Sequence, residues 1–242
     1  MFPVTKRYLA ADFGIDYDIA TFFADRVPPA DNYFWKGKYV YLSRGLGYII
    51  IPLFFDLQYK LGLEKSILLD EQRVRLMEAG FGIMSRYEAK QISYATYISD
   101  CEALFKPTVV NELFYGDLVL HLKNEMPVNY TLGTAIKALN RADALLFTLC
   151  DMAIDAPLLQ RIIANWTCIN TNALILDDIS DLSADEKNGE ENSIIELGNN
   201  DAAMKTVQLM FDDHQKIIEM INPSLNSYFE SCMSFVQKRF IR

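Results

Sequence analysis

Apolar residues recur every three or four positions through most of this chain, in runs of helix length bounded by proline and glycine. After Asn200, the residues Met204, Val207, Phe211, His214, Ile218 and Ile221 fall on one face of a helix and form a core stripe. The same reading predicts helices over roughly 16–26, 37–60, 67–90, 91–105, 108–123, 131–152, 157–187, 201–221 and 224–241. The breaks fall at Pro28-Pro29, Gly62, Pro107, Pro127, Pro157, Gly189 and Pro223. Pro107, Pro157 and Pro223 suit the first turn of a helix, where a missing N–H leaves no intrahelical bond unmade. Alternating strand runs and hairpin dipeptides are scarce. No repeat, low-complexity tract or long linker divides the chain, so a single all-α domain over residues 1–242 is expected.

Composition narrows the partners. Hydrophobic residues make up 51% and aromatics 12% of the chain, enough for one sizeable core with apolar lining to spare. The formal charge is −9 and the pI about 4.8, without any basic stripe, which argues against a nucleic-acid partner. Cys101, Cys150, Cys168 and Cys232 are widely spaced and form no CxxC pair. With no secretory signal pattern at the start, they read as reduced thiols of a cytoplasmic protein. The longest apolar run, from Leu46 to Phe55, is about half a membrane span and contains Pro52, so no transmembrane segment is expected. His121 and His214 lie far apart, and no GxSxG, GxGxxG or phosphate-cradling glycine loop is present.

The most informative stretch runs from Leu176 to Asp185. Asp177, Asp181 and Asp185 are each four residues from the next, so on a helix they stack along one face with a drift of roughly 40° per step. Like charges so placed repel one another unless a cation lies among them. An acidic run is most often a solvated helix face. Here, however, Trp166, Asn170 and Ala173 continue the same spacing backwards, and an Asn188-Gly189 stop follows. An inward stripe that turns acidic is costly to bury unless it is paired or holds a metal. Hard oxygen ligands without His or Cys suit Mg²⁺ or Mn²⁺, which keep waters and bridge to phosphate oxygens.

The string Asp177-Asp178-Ile179-Ser180-Asp181-Leu182-Ser183-Ala184-Asp185-Glu186, followed by Gly189, Asn192 and a hydrophobic run, resembles the second metal-binding motif of class I terpene synthases. Asp replaces the hydroxyl and Glu usual in that motif, a form similar to the second aspartate-rich motif of trans-prenyl diphosphate synthases. The resemblance covers about 155–221, roughly a quarter of the chain, including the helix that begins Asp201-Ala202-Ala203-Met204. It implies a shortened α-helical bundle of the class I isoprenoid synthase type around an apolar cavity. In such a bundle, Mg²⁺ held by two acidic motifs on facing helices helps ionise a linear prenyl diphosphate. Aromatic side chains then steer the carbocation to a terpene hydrocarbon or alcohol. Phe81, Tyr94, Tyr97, Phe147 and Trp166 are candidates for that lining.

By resemblance, Asp177, Asp181 and Asp185 take the three metal-ligand positions, with Asp178 beside them. For the first motif, which has no DDxxD here, Asp100 and Glu102 are the preferred pair, with Asp56, Asp70-Glu71 and Glu88 as rivals. Arg141 matches the diphosphate-sensing arginine, with Lys137 one turn earlier, Lys187 after the acidic row and Arg239 near the C-terminus as further diphosphate contacts. Gly116-Asp117 and Gly37-Lys38 resemble short pieces of prenyl synthases, but the arginines expected around the second are missing. The resemblance therefore favours a one-substrate cyclase or elimination enzyme. A prenyl transferase joining two substrates is one alternative. A non-catalytic partner subunit of an active synthase is another, and homodimerisation is common in the superfamily.

Overall fold

The computed structural model describes residues 5–42 and 46–240, apart from the side chains of Leu46, Arg239 and Phe240. The expected diphosphate contact of Arg239 therefore lies outside the described side chains. Among the described residues the chain is helical, without a strand: α1 Lys6–Asp12, α2 Tyr17–Asp25, α3 Leu46–Lys60, α4 Lys65–Leu68, α5 Glu71–Glu88, α6 Tyr94–Phe105, α7 Glu112–Leu122, α8 Ala156–Asn188, α9 Ser193–Glu196, α10 Asp201–Ile221 and α11 Pro223–Phe240. Short 3₁₀ turns occupy Lys106–Thr108, Lys137–Asn140 and Asp143–Leu149. No described helix is long and apolar enough to cross a membrane.

Helix starts are fixed by side chains. Asp16, Asp70, Ser93, Asn111, Asp155, Asn192 and Asn200 each accept a hydrogen bond from a backbone N–H of the first turn they precede. Pro157 sits in the first turn of α8, and Pro223 opens α11. Gly189 ends α8 with φ +65°, a left-handed cap that a residue without Cβ adopts at no steric cost.

The 33 residues of α8 form the axis of the molecule, about 50 Å long at 1.5 Å per residue. Helices α3, α10 and α11 pack on it. Trp166 is fully buried against Phe54 of α3, ring centroids 4.6 Å apart, and Val207 and Phe211 carry the predicted stripe of α10 into the core. Helices α5, α6 and the turn Asp143–Leu149 pack together, with Phe105 stacked on Phe147 at 5.3 Å. Buried Arg73 of α5 ties this layer down through Asp151 and the Thr148 carbonyl. All four cysteines are free thiols.

Three expectations need correction. Of the helix expected over 37–60, the described residues 46–60 are helical, whereas 37–42 are turn and bend, with Gly37 at φ +76°. Short α1 and α9 were not anticipated, being too brief to show periodicity. The helix expected over 131–152 does not form. Side chains there take the backbone groups that a helix would use. Asn140 accepts from the Thr134 N–H at 2.7 Å and donates to the Thr134 carbonyl at 2.9 Å, while the Glu196 carboxylate accepts the N–H groups of Lys137 and Ala138 at 2.8 and 2.7 Å. Two 3₁₀ turns result, with Arg141 and Ala142 at the break between them.

Gly133 starts this segment at φ +61°, where an added Cβ would stand 2.5 Å from His121 Cε1 and 2.8 Å from Asn140 Oδ1. Gly133→Ala combines a disfavoured backbone with an overlap and is expected to cost about 2 kcal/mol, read by thermal denaturation. His214 gives a second stability test. It meets Asn172 Oδ1 at 3.2 Å, and burial lowers its pKa from the ordinary 6.5, with Asp213 opposing. The unfolded chain therefore binds the extra proton first as pH falls below 6.5, so the stability tied to this residue is complete above that pH and declines below it. In His214→Gln the slope of melting temperature against pH below 6.5 should be shallower.

Candidate functional site

A cavity of about 1000 Å³ opens between α8 on one side and α5, α6 and the 3₁₀ segment on the other. Its size is that of a small-molecule site. The α8 wall is formed, in chain order, by Asn170, Ala173, Leu174, Asp177, Asp181 and Asp185. The stripe from Asn170 to Asp185 thus borders a concavity. It changes character along the way: Asn170 and Ala173 are buried, while Asp177 and Asp181 are exposed at the mouth. The rest of the lining is largely apolar and aromatic, with Met77, Phe81, Tyr97 and Phe105 from α5 and α6 joined by Phe34 and by Tyr48 of α3. Gly80 lets the Phe105 ring come close, since a Cβ there would be 3.2 Å from two of its carbons. Of the five anticipated aromatics, Phe81 and Tyr97 line the space. Tyr94, Phe147 and Trp166 do not; Tyr94 instead donates its hydroxyl to the Leu122 carbonyl.

The acidic row behaves electrostatically as a crowded set. Desolvation raises the Asp177 carboxyl above its ordinary value; Arg141 opposes this, and Asp181, Asp178 and Asp185 add to the rise. Asp185 accepts from Asn192 Nδ2 at 2.8 Å, which holds the outer end of the row against the start of α9. Asp178 is different. It is buried, accepts from the Ser193 N–H at 2.8 Å and from Arg141 Nη2 at 2.8 Å, and does not line the cavity. It is a structural carboxylate that anchors Arg141 and α9, which corrects its placement among the metal ligands.

The facing acids are also relocated. Asp100 is 3.7 Å from Arg86, Glu102 pairs with Lys123 at 2.7 Å, and neither reaches the cavity. Among the rivals, Asp56 pairs with Lys60, Asp70 caps α5 and Glu71 bridges to Arg26 and Arg75. Glu88, at the end of α5, does line the mouth opposite the row; desolvation raises its carboxyl, and Arg141 opposes the rise. Periodicity alone could not choose among these acids, because the choice depends on how α5 packs against α8. Asp117 of the Gly-Asp pair is occupied by the backbone N–H groups of Val128 and Tyr130, at 3.1 and 2.8 Å, and by that of Asn129.

Arg141 projects from the break between the two 3₁₀ turns onto the cavity wall. Its Nη1 donates to the Ala138 carbonyl at 2.8 Å, and its Nη2 lies 3.3 Å from Asp177. Lys137 and Lys187 are exposed and off the wall, so neither is placed to meet a ligand there. Lys90, a residue the sequence did not single out, stands at the mouth just past the end of α5, with φ +58°. Among the described wall residues, Glu88, Asp177, Asp181, Asp185, Glu190 and Glu191 face only Lys90 and Arg141 as cations. Such a mouth repels an anion unless added cations reverse its sign.

As to the metal, no three His, Cys, Asp or Glu side chains among the described residues converge closely enough to enclose an ion. Residues four apart on α8 are about 6 Å apart along its axis, so the row could offer a single ion no more than one or two oxygens. That donor set fits Mg²⁺, which keeps several waters and takes phosphate oxygens as ligands, and does not fit an all-protein cage. Compared with protein-family models, with curated proteins and with solved structures, the chain matches none.

Proposed function

We propose that this protein is a class I terpene synthase that ionises a linear prenyl diphosphate and directs the carbocation to a cyclised or eliminated product. One observation carries the reading: a row of evenly spaced carboxylates forms the mouth of a cavity whose interior is apolar and aromatic. An amphipathic substrate with an anionic head and a greasy tail matches that polarity. Mg²⁺ would neutralise the diphosphate and stabilise it as a leaving group, held by Asp177, Asp181 and Asp185 with Glu88 from the facing wall. Arg141 would donate to the same head group from the break between the 3₁₀ turns. The rings of Phe34, Tyr48 and Phe81 would exclude water and present their faces to the cation.

A second reading is a non-catalytic partner subunit. What favours it is the facing wall of the mouth, where α5 brings Glu88 in place of a full acidic motif. The test is incubation with C10, C15 and C20 prenyl diphosphates and Mg²⁺, following diphosphate release and products by gas chromatography. Magnesium-dependent release by the protein alone is expected. Release only on adding a second synthase subunit would favour the partner reading, and release only with isopentenyl diphosphate present would point to a prenyl transferase.

A further inference from the structure

The stretch from Trp35 to Tyr41 is fixed at its base and bare at its tip. Trp35 and Tyr41 are both fully buried, their rings 4.9 Å apart, and the Trp35 Nε1–H donates to the Tyr41 carbonyl at 3.3 Å. The Lys38 N–H donates to the Trp35 carbonyl at 2.8 Å, and Gly37 at φ +76° turns the chain between them. Lys36, Lys38, Tyr39 and Val40 stand outside these anchors, all exposed. Tyr39 is 97% exposed, its ring held in water by a backbone that is closed behind it. Neither lysine pairs with a carboxylate among the described residues. Each ammonium lies over a ring instead, that of Lys36 5.8 Å from Tyr33 and that of Lys38 5.9 Å from Tyr48. In a chain of formal charge −9, no acidic residue occurs between Asp31 and Asp56. The tip is also joined to the cavity. Phe34 and Tyr48 both line that space with their rings 4.6 Å apart, and the Tyr48 hydroxyl donates to the Phe34 carbonyl at 3.0 Å.

We infer that Lys36, Lys38, Tyr39 and Val40 dock this protein on the surface of an anionic lipid membrane. The two unpaired cations meet the head groups, while the Tyr39 ring and Val40 enter the boundary with the acyl chains, where amphipathic aromatics are favoured. The size of the tip argues for this occupant. Four side chains fall far short of the roughly 20–30 residues that a protein interface takes from each partner. Two cations neutralise too few phosphates to hold a nucleic acid. The negative charge of the whole chain does not forbid the contact, because at physiological salt charges more than about 8 Å away are largely screened. The carboxylates of the cavity lining belong to α5, α8 and the stretch just after α8, not to this tip. No described helix can cross a membrane, so the contact is peripheral and reversible. It brings the rim of the cavity to a lipid phase, in which a molecule greasy enough to suit the apolar lining dissolves. The inference goes beyond the synthase reading and does not depend on it.

The test is sedimentation of the full chain with sucrose-loaded vesicles of phosphatidylcholine, with and without phosphatidylserine, in buffer containing EDTA. Partition to the anionic vesicles should be stronger by about fivefold for each lysine, about 25-fold for the pair. The excess should vanish near 1 M salt, where screening acts within about 3 Å. The double variant Lys36→Gln, Lys38→Gln should bind both kinds of vesicle alike, with an unchanged melting temperature, since both side chains are exposed and unpaired. Tyr39→Trp reports insertion. Trp35 and Trp166 are fully buried, so a blue shift of emission on adding the anionic vesicles comes from position 39. Equal partition of the wild type to the two kinds of vesicle, a preference that survives the double variant, or an unshifted Tyr39→Trp spectrum would overturn the inference. So would a dimer that Tyr39→Ser breaks in a protein indifferent to vesicles, because the tip would then be an interface between copies. Neither turnover nor Mg²⁺ enters these measurements. A protein inactive on every prenyl diphosphate would sink the synthase reading and leave this one to the vesicles.

Discussion

Replacing Asp177 and Asp181 together by asparagine is expected to lower magnesium-dependent diphosphate release by about 10³-fold, the scale on which preorganised charge acts on a leaving group. Stability should respond in the opposite sense. In the wild type, Asp181, Asp178 and Asp185 all push the Asp177 carboxyl upward, the mark of repulsion along the row. Removing two of the charges without metal should leave the melting temperature equal or raise it by about 1–2 °C, since exposed charges are well screened. Adding Mg²⁺ should stabilise the wild type and leave the double variant unmoved, because only a ligand that binds the folded state adds to its stability. A variant with full turnover would remove the row from the reaction. A wild type indifferent to Mg²⁺ would remove the ion from the row.

How far this was legible from the sequence depends on the range of the signal. The long helices α5, α8 and α10 announce themselves through 3.6-residue periodicity, and their ends through proline, glycine and capping side chains. The inward face of α8 was readable for the same reason: Trp166, Asn170, Ala173 and the acidic row lie on one stripe, and a stripe is a local property. What escaped depended on partners distant in sequence. The segment 131–152 has apolar spacing suited to a helix, yet Glu196, some sixty residues on, takes the N–H groups of Lys137 and Ala138. Asp178 and Asp177 are neighbours of the same type, and only the packing of α9 and Arg141 tells the buried anchor from the free carboxylate. Glu88 was one of several facing acids, singled out only when α5 is seen to end at the mouth.

Arg141→Gln should be the most damaging single change near the site, for two separable reasons. Among the described residues Arg141 is the one cation paired with Asp178, whose side chain is 1% exposed, and the two are 2.8 Å apart. Removing one partner of a buried pair strands the other charge, at a cost of about 3–5 kcal/mol. For a chain of this size that corresponds to a fall of roughly 6–20 °C in melting temperature. The second loss is of the donor that the break between the 3₁₀ turns holds at the cavity wall, and diphosphate release should fall with it. The double variant Arg141→Gln, Asp178→Asn distinguishes the two. It removes the stranded charge while keeping an acceptor oxygen for the Ser193 N–H, so most of the lost stability should return. Diphosphate release should stay low, because the cation at the mouth is still gone. If the double variant recovered both stability and release, Arg141 would be an anchor for α8 and α9 alone. If Arg141→Gln unfolded at the wild-type temperature, Asp178 would be holding its charge without help from Arg141, and the electrostatic account of this corner of the fold would fail.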